Sequence, residues 1–290
     1  MKIRYLWRHP TTFPSLRLRI LTPGKELGAE LGHDLDIVGE PTEDCDVLVM
    51  FKHHPDNPRV AEEFAKKTAV VFDVCDDHFD DQMGRLYRAT IKYATHVTCT
   101  TKHIQERIWQ VCGVRATQIT DPHEWGEEAP KKPTKRLLWH GTGGNLPPLL
   151  ELVNRGDLHG YDVMALCNDT RHPLVQPWSH EALEQGFKEA GICIIPTKVD
   201  NHGKGKGPNR MVDAIRQGLY VVASPHRAYE GYGMWLGEIK AGVEWALENP
   251  RLAQKAVKKA QKIVRENHDP LKIAKQWEAV FERAAVKQAV

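Results

Sequence analysis

Short β-rich runs alternate with amphipathic helical stretches through the first part of the chain, stop, and then start again, and this doubled rhythm leaves few folds open to it. Strand, helix, strand in repetition is the pattern of a parallel sheet covered by helices. Strands are predicted over residues 3–7, 46–51, 69–73, 96–100 and 116–120, with helices over 17–31, 58–66, 83–94 and 102–112 between them. The rhythm breaks at 124–135, where Gly126, Glu127, Glu128, Pro130, Lys131, Lys132 and Pro133 form a charged, proline-punctuated linker. It resumes with strand 136–140, helix 147–154, strand 161–166, helix 180–190, strand 192–196, helix 209–217 and strand 220–224. The tail reads as helices over 236–248 and 250–266, then a third with Asp269 as N-cap and Pro270 at its first position. A chain of 290 residues accommodates two such domains. The expectation is therefore α/β: two Rossmann-like domains over 1–130 and 131–270, with a helix over 271–290 packing back on the first.

Charge narrows the functional classes. Forty basic against thirty-eight acidic residues give a formal charge of +2, without the gross basic excess of a protein that lives on nucleic acid. The six cysteines, at 45, 75, 99, 112, 167 and 193, include no Cys-x-x-Cys pair and read as reduced core thiols. Met1-Lys2-Ile3-Arg4-Tyr5-Leu6-Trp7-Arg8 places charges inside its apolar stretch, and no later run approaches the roughly 20 apolar residues of a spanning helix. A cytoplasmic protein with no transmembrane segment is expected.

Two segments carry chemistry. Asn201-His202-Gly203-Lys204-Gly205-Lys206-Gly207-Pro208-Asn209-Arg210 joins an apolar strand to a helix. A helix N-terminus presents unsatisfied N–H groups and about half a positive charge, so a diphosphate is stabilised there, with Lys204, Lys206 and Arg210 as counter-charge. The run does not match the ATPase P-loop pattern G-x-x-x-x-G-K-[ST]. Taken alone it also reads as a solvated basic loop; its position after a strand of an α/β domain, where ligands bind, favours a site. The second segment, His140-Gly141-Thr142-Gly143-Gly144-Asn145, follows the first strand of the second domain. Its glycines admit close approach of backbone to phosphate, but Leu146 stands where the third glycine of G-x-G-x-x-G would be. A tight strand-to-helix turn with a solvent-facing His140 is the even alternative.

Taken together, 191–196, Lys206-Gly207-Pro208-Asn209-Arg210-Met211-Val212-Asp213-Ala214-Ile215 and Gly218-Leu219-Tyr220-Val221-Val222-Ala223-Ser224 resemble the donor-site signature of family-4-type glycosyltransferases (glycosyl transferases group 1) with the GT-B fold. In the first domain, Pro14-Ser15-Leu16-Arg17-Leu18-Arg19 is similar to that family's first loop and helix, and Phe72-Asp73-Val74-Cys75-Asp76-Asp77-His78 to a segment lining its cleft. The resemblance implies two domains facing across a cleft and a UDP- or GDP-linked sugar as donor. It further implies a ribose-binding acid at Asp213, where glutamate is usual, and retention of anomeric configuration. The family's second acid, which grips the transferred sugar, would align near Gly205, where there is none.

The acidic run Asp73, Asp76, Asp77, His78, Asp80, Asp81 suits Mg²⁺ or Mn²⁺ chemically, but helix end and lysines supply the charge instead, so no metal and no resident cofactor are expected. The expected chemistry is a hexosyltransferase-like transfer, with His78, Lys206 and Arg210 as catalytic residues. The donor is bound by His140, Gly141, Thr142, Gly143, Gly144, Lys204, Gly207, Asn209 and Asp213. Arg17, Arg19 and Asp77, with Lys52–His54 nearby, form the acceptor side, whose basic character suits an anionic acceptor. The acceptor itself, whether glycan, lipid, small molecule or, at low weight, modified DNA, has no motif. A sugar-nucleotide epimerase, a phosphorylase or a non-catalytic sugar-nucleotide binding subunit are the alternatives on the same scaffold.

Overall fold

The computed structural model describes residues 1–197 and 200–288. These divide into two compact units: Met1–Pro122 with Lys204–Gly207 and the chain from His268 on, and His123–Gly203 with Pro208–Asn267.

Unit 1 is built on β1 (Lys2–Leu6), β2 (Asp34–Val38), β3 (Val47–Phe51), β4 (Ala69–Val74), β5 (His96–Cys99) and β6 (Thr117–Gln118). All pair in parallel, in the order β2-β1-β3-β4-β5-β6. Its helices are α1 (Pro14–Leu16), α2 (Thr22–Ala29), α3 (Asn57–Phe64), α4 (Gly84–Ile91) and α5 (Lys102–Cys112), and α12 (Pro270–Gln288) joins them from the far end of the chain. The central β3 and β4 are buried at every position, as strands covered on both faces must be, and Asp73 is the one charged residue in them. Edge strand β2, with the sequence Asp-Leu-Asp-Ile-Val, is largely exposed. It was absent from the predicted strands because a strand paired on one side has no need of an apolar run. α5 starts on Thr101 Oγ1, which accepts from Ile104 N–H, and stops at Gly113 with φ 67°. Ile273, Ala274, Trp277, Val280, Phe281 and Ala284 make one buried face of α12, packed into the core around Tyr5, Ile20 and Leu27.

The predicted helix over 17–31 is instead interrupted: α1 runs into a π-helical turn, Arg17–Leu21, before α2 begins. The extra residue in that turn coincides with the buried side chain of Arg19, and such turns gather at functional or constrained positions.

Unit 2 has β7 (Arg136–Gly141), β8 (Asp162–Cys167), β9 (Val175–Pro177), β10 (Ile192–Ile195), β11 (Tyr220–Ala223) and β12 (Trp235–Leu236), again all parallel, in the order β12-β11-β10-β7-β8-β9. Around the sheet lie α6 (Leu146–Asn154), α7 (His180–Glu189), α8 (Asn201–Lys204), α9 (Asn209–Arg216), α10 (Ile239–Glu248) and α11 (Pro250–Asn267). The helix predicted from 236 starts instead at Ile239, and Leu236 belongs to β12, which pairs with β11 at Val222 and Ala223.

The proline-rich stretch is a strap rather than a loose linker. Glu128 N–H donates to Arg216 O (2.8 Å), Lys131 N–H to Gly218 O (2.8 Å) and Gln261 Nε2 to Glu128 O (2.7 Å). Gly218 has φ 79°, and a Cβ there would lie 2.2 Å from Ala129 O, so only glycine lets the strap lie flat. The two compact units divide at Pro122–His123, and the chain returns to unit 1 at His268. All six cysteines are free thiols. Among the described residues no helix is long and apolar enough to cross a membrane.

Candidate functional site

Open parallel sheets bind ligands outside the carboxyl ends of their strands, at the point where strand order reverses. In unit 2 the reversal lies between β7 and β10. The loop after β7 is His140–Asn145, and the chain after β10 leads to α9. Both sequence motifs therefore belong to the switch point, and Arg210 Nη1 donates to His140 O at 3.3 Å.

The β7 loop is shaped by its glycines. A Cβ on Gly141 would meet Trp139 at 3.1 Å, and one on Gly143 would meet the Asp169 side chain at 3.0 Å, whereas Gly144 has nothing nearer than 4.0 Å. Gly143 N–H donates to Asn168 Oδ1 (2.9 Å), and Asn145 N–H to Thr142 O (2.8 Å), closing a 3-10 turn over Gly143–Asn145 ahead of α6. Thr142 and Gly144 are exposed at its tip. His140 is 6% exposed, so it is a buried residue edge-on to Phe187, not the solvent-facing histidine of a bare turn. α9 starts at Asn209 behind Pro208, with no side-chain cap on its first turn and no acid among its first residues, which leaves its leading N–H groups to a ligand or water. Asp213, one turn on, is 8% exposed.

The glycine-rich segment is more ordered than a solvated loop. Asn201–Lys204 forms the short α8, while the side chains of Asn201 and His202 lie outside the described residues. Lys204–Gly207 goes with unit 1: Thr101 Oγ1 donates to Gly205 O (3.3 Å), and Lys206 Nζ lies 2.7 Å from Asp76 Oδ1. Lys204 is exposed and Gly207 half-buried.

In unit 1 the order reverses between β1 and β3, and the side chains beyond those strand ends are rings. His9 stacks on Phe13 (6.0 Å between centroids) and meets His53 edge-on (6.1 Å), which in turn meets His78 (5.1 Å), and His78 meets Tyr87 (6.0 Å). Burial, then the neighbouring Lys52 and His53, pushes His9 down to about 4. Burial followed by His78 and Lys52 also lowers His53. These two imidazoles are neutral at pH 7. His78 Nδ1 sits 2.6 Å from Asp81 Oδ2, the arrangement of an imidazole oriented by a carboxylate.

Two residues expected on the acceptor side have other occupations. Arg19 is 1% exposed: its Nε and Nη2 bind both oxygens of Asp73 (3.0 and 2.8 Å), its Nη1 binds Asp121 Oδ1 (3.0 Å) and Ile119 O (2.6 Å), and Trp277 covers it at 4.9 Å. Burial opposes the charge on both partners, yet the two carboxylates hold Arg19 above the ordinary arginine value, and Arg19 with Thr98 and Cys75 holds Asp73 below the ordinary carboxylate value. The polar atoms of Arg19 are turned to these partners inside unit 1. Asp77, likewise buried, accepts from His103 Nε2 (3.0 Å), Arg107 Nε (3.2 Å) and Phe79 N–H (3.2 Å). Arg17 is half-buried in the π-helical turn. With Lys52 bonded to Asp76 as well, the rim carries less positive charge than its basic residues suggest.

The remaining acids are paired too, Asp80 with Arg107 and Asp81 with His78. Among the described residues no three His, Cys, Asp or Glu side chains converge on a point. Sequence reasoning missed Asp121 and Thr98 as the partners of the Arg19–Asp73 pair, and Asn168 and Asp169 behind the β7 loop. The available signal was their place, since each lies on or just beyond the carboxyl end of a strand.

No family model matches the chain, and no curated protein does. Solved structures do match along nearly its full length. HepE of Anabaena, crystallised with UDP, superposes with a TM-score of 0.68 at 12% identity over 97% of this chain and 99% of its own. AviGT4, a glycosyltransferase of avilamycin A biosynthesis, gives 0.60 at 14% identity over 98% of each chain. A DNA-modifying β-glucosyltransferase studied with and without uridine diphosphoglucose gives 0.58 at 12% identity over 98% and 99%. These are GT-B proteins, and the present chain has their fold of two Rossmann-like domains with a helical C-terminus.

Proposed function

We propose that the chain is a glycosyltransferase that takes a sugar from a nucleoside-diphosphate sugar. The observation that carries this reading is the meeting of the His140–Asn145 loop with the start of α9 at the unit 2 switch point, tied by the Arg210–His140 hydrogen bond. Charge develops on the departing β-phosphate oxygens during transfer, and fixed donors aimed at such charge are commonly the largest single catalytic contribution. The N–H groups at the Asn209 helix start, the Gly143–Gly144 backbone and Arg210 are those donors, and Lys206, three residues before Asn209 in the chain, is read as a further counter-charge to the diphosphate. Asp213 is the ribose-binding acid. The fold likeness to a protein crystallised with UDP and to one studied with uridine diphosphoglucose supports a uridine diphosphate donor first and GDP second.

The reading includes retention at the anomeric carbon, no requirement for a divalent metal, and a cytoplasmic setting. His78, oriented by Asp81, is the acceptor-side proton carrier. Because Arg19 is enclosed and His9 and His53 are neutral, an acceptor offering a ring and a hydroxyl group fits the unit 1 strand ends better than a strongly anionic one.

A donor screen followed by an acceptor screen tests the reading, with mass spectrometry of the product and NMR of its anomeric linkage. Donor turnover giving a new glycoside of the donor's configuration in the presence of EDTA is the expected result. Binding without turnover or hydrolysis of any donor would make the chain a non-catalytic sugar-nucleotide binding subunit, and an isomerised donor would make it an epimerase.

A further inference from the structure

The glycine-rich segment is tethered at its middle. Thr101 Oγ1, which caps α5 by accepting from Ile104 N–H, also donates to Gly205 O. The next residue, Lys206, meets Asp76 Oδ1 at 2.7 Å, while the other oxygen of that carboxylate, Oδ2, takes Lys52 Nζ at 2.6 Å. One carboxylate thus lies between two ammonium groups, and the cluster keeps a surplus positive charge.

Lys52 is built for this place. It is the only non-glycine residue with positive φ (53°) among the described residues. Its carbonyl accepts from buried Asn57 Nδ2 at 3.1 Å, and its ammonium lies 5.4 Å from the centre of the Phe13 ring. A left-handed non-glycine residue is strained and persists where its surroundings dictate it.

We propose that Asp76 is a positioning residue for Lys206: fixed from below by Lys52, it holds the loop lysine in one extended, charged conformation that receives a phosphate group. The inference rests on the reading of Lys206 as a contact to the donor's diphosphate. An untethered lysine loses rotamer freedom when it is ordered by a ligand, and a tethered one has already lost it. A lone Lys206–Asp76 pair would be neutral and would present a carboxylate to the phosphate. Lys52 cancels that carboxylate, so Lys206 remains a net cation while staying in place. Burial opposes charge on Asp76, yet the two lysines hold it well below the carboxylate range.

Calorimetry with uridine diphosphate, with uridine as control, is run on the wild type, Asp76→Asn, Lys206→Ala, the double variant and Lys52→Met. Trypsin cleavage after Lys204 in the ligand-free proteins is followed alongside. Lys206→Ala is expected to weaken uridine diphosphate by roughly tenfold or more and Asp76→Asn by about fivefold, with the double variant within about twofold of Lys206→Ala and uridine binding constant. Lys52→Met, which leaves Asp76 to neutralise Lys206 alone, is also expected to weaken it, and serves if Asp76→Asn does not fold. Asp76→Asn is expected to speed cleavage after Lys204. Tighter binding by Asp76→Asn would mean that the carboxylate competes with phosphate. That result, a full Asp76 effect persisting without Lys206, wild-type binding by Lys52→Met, or an unchanged cleavage rate each overturns the proposal. A wild type that binds no uridine diphosphate at all removes the donor reading instead, and the cleavage rates still judge whether Asp76 holds the loop.

Discussion

Unit 1 and unit 2 wind the same kind of sheet yet bury different chemistry at the carboxyl ends of their strands. In unit 1 the ends of β4 and β5 and the stretch after β6 enclose Arg19, Asp73, Thr98 and Asp121, a fully hydrogen-bonded ionic cluster. In unit 2 β10 is apolar throughout and β7 ends on His140 and Gly141, and the polarity beyond them comes largely from backbone, in a glycine loop and a helix start. The strand orders differ too, reversing between β1 and β3 in one unit and between β7 and β10 in the other. The scaffold dictates where a ligand goes, and the residues at the strand ends dictate what it meets.

The hardest test of that contrast is Arg19→Met. It strands the buried carboxylates of Asp73 and Asp121, and losing one partner of a buried ion pair costs about 3–5 kcal/mol. Hydrogen exchange should show β3 and β4 losing protection while β7 and β10 keep theirs. A loss below about 1 kcal/mol would mean that the cluster contributes little to stability.

Gly218→Ala is the mirror experiment in unit 2. The left-handed backbone alone costs about 1–3 kcal/mol, and the new Cβ would meet Ala129 O, so the strap must lift. Denaturant unfolding should show destabilisation confined to unit 2. Wild-type stability would show that the strap yields freely.

On the ligand side, Arg210→Ala removes a charge-assisted donor valued at about 1.5–3 kcal/mol, so uridine diphosphate should bind roughly tenfold or more weakly. Stability should change little, because the guanidinium is only half-buried and its hydrogen bond goes to the neutral His140 carbonyl. Unchanged affinity in calorimetry would remove Arg210 from the site.

The smallest effect concerns pH. Burial lowers His9 and His96 to about 4, and lowers His53 and His268, all in unit 1. A histidine whose folded value lies below its unfolded value of about 6.5 binds its proton more readily when unfolded, so it subtracts stability as pH falls from about 6.5 towards 4. Asp73 and Asp76 are displaced downward, so their contribution holds through that window and is lost only at lower pH. Melting of unit 1 should therefore shift downward between pH 7 and pH 5 more than that of unit 2. His9→Asn with His96→Asn should flatten the difference, and equal shifts in both units would refute the assignment.

Much of this molecule was legible before any coordinates. The strands that carry apolar runs, β3, β4, β10 and β11, could be read because burial on both faces leaves few polar positions, Asp73 in β4 being the charged exception. β2, β9 and β12 could not, since edge strands with few buried residues leave a short or mixed signal. Thr101, Ser179 and Asp269 mark helix starts by a local hydrogen bond that sequence neighbours suffice to make.

Among site residues the split follows the same line. The His140–Asn145 turn and the Asn209 helix start are local in sequence, and their glycine and proline content alone dictates backbone shape. Whether a charge is available is a long-range matter. Arg17 and Arg19 look alike in sequence, two positions apart, yet the π-helical turn takes Arg19 into a cage built by residues up to 102 positions away. Lys206 looks like a free loop cation until Asp76, 130 residues earlier, is found beside it. The sequence by itself determined the doubled α/β rhythm and the two glycine-bearing loops, because periodicity and backbone freedom are properties of neighbours. Only the tertiary structure decided which charges face a ligand and which face one another, because the Coulomb energy of a pair depends on its separation and burial in space, and distance along the chain determines neither.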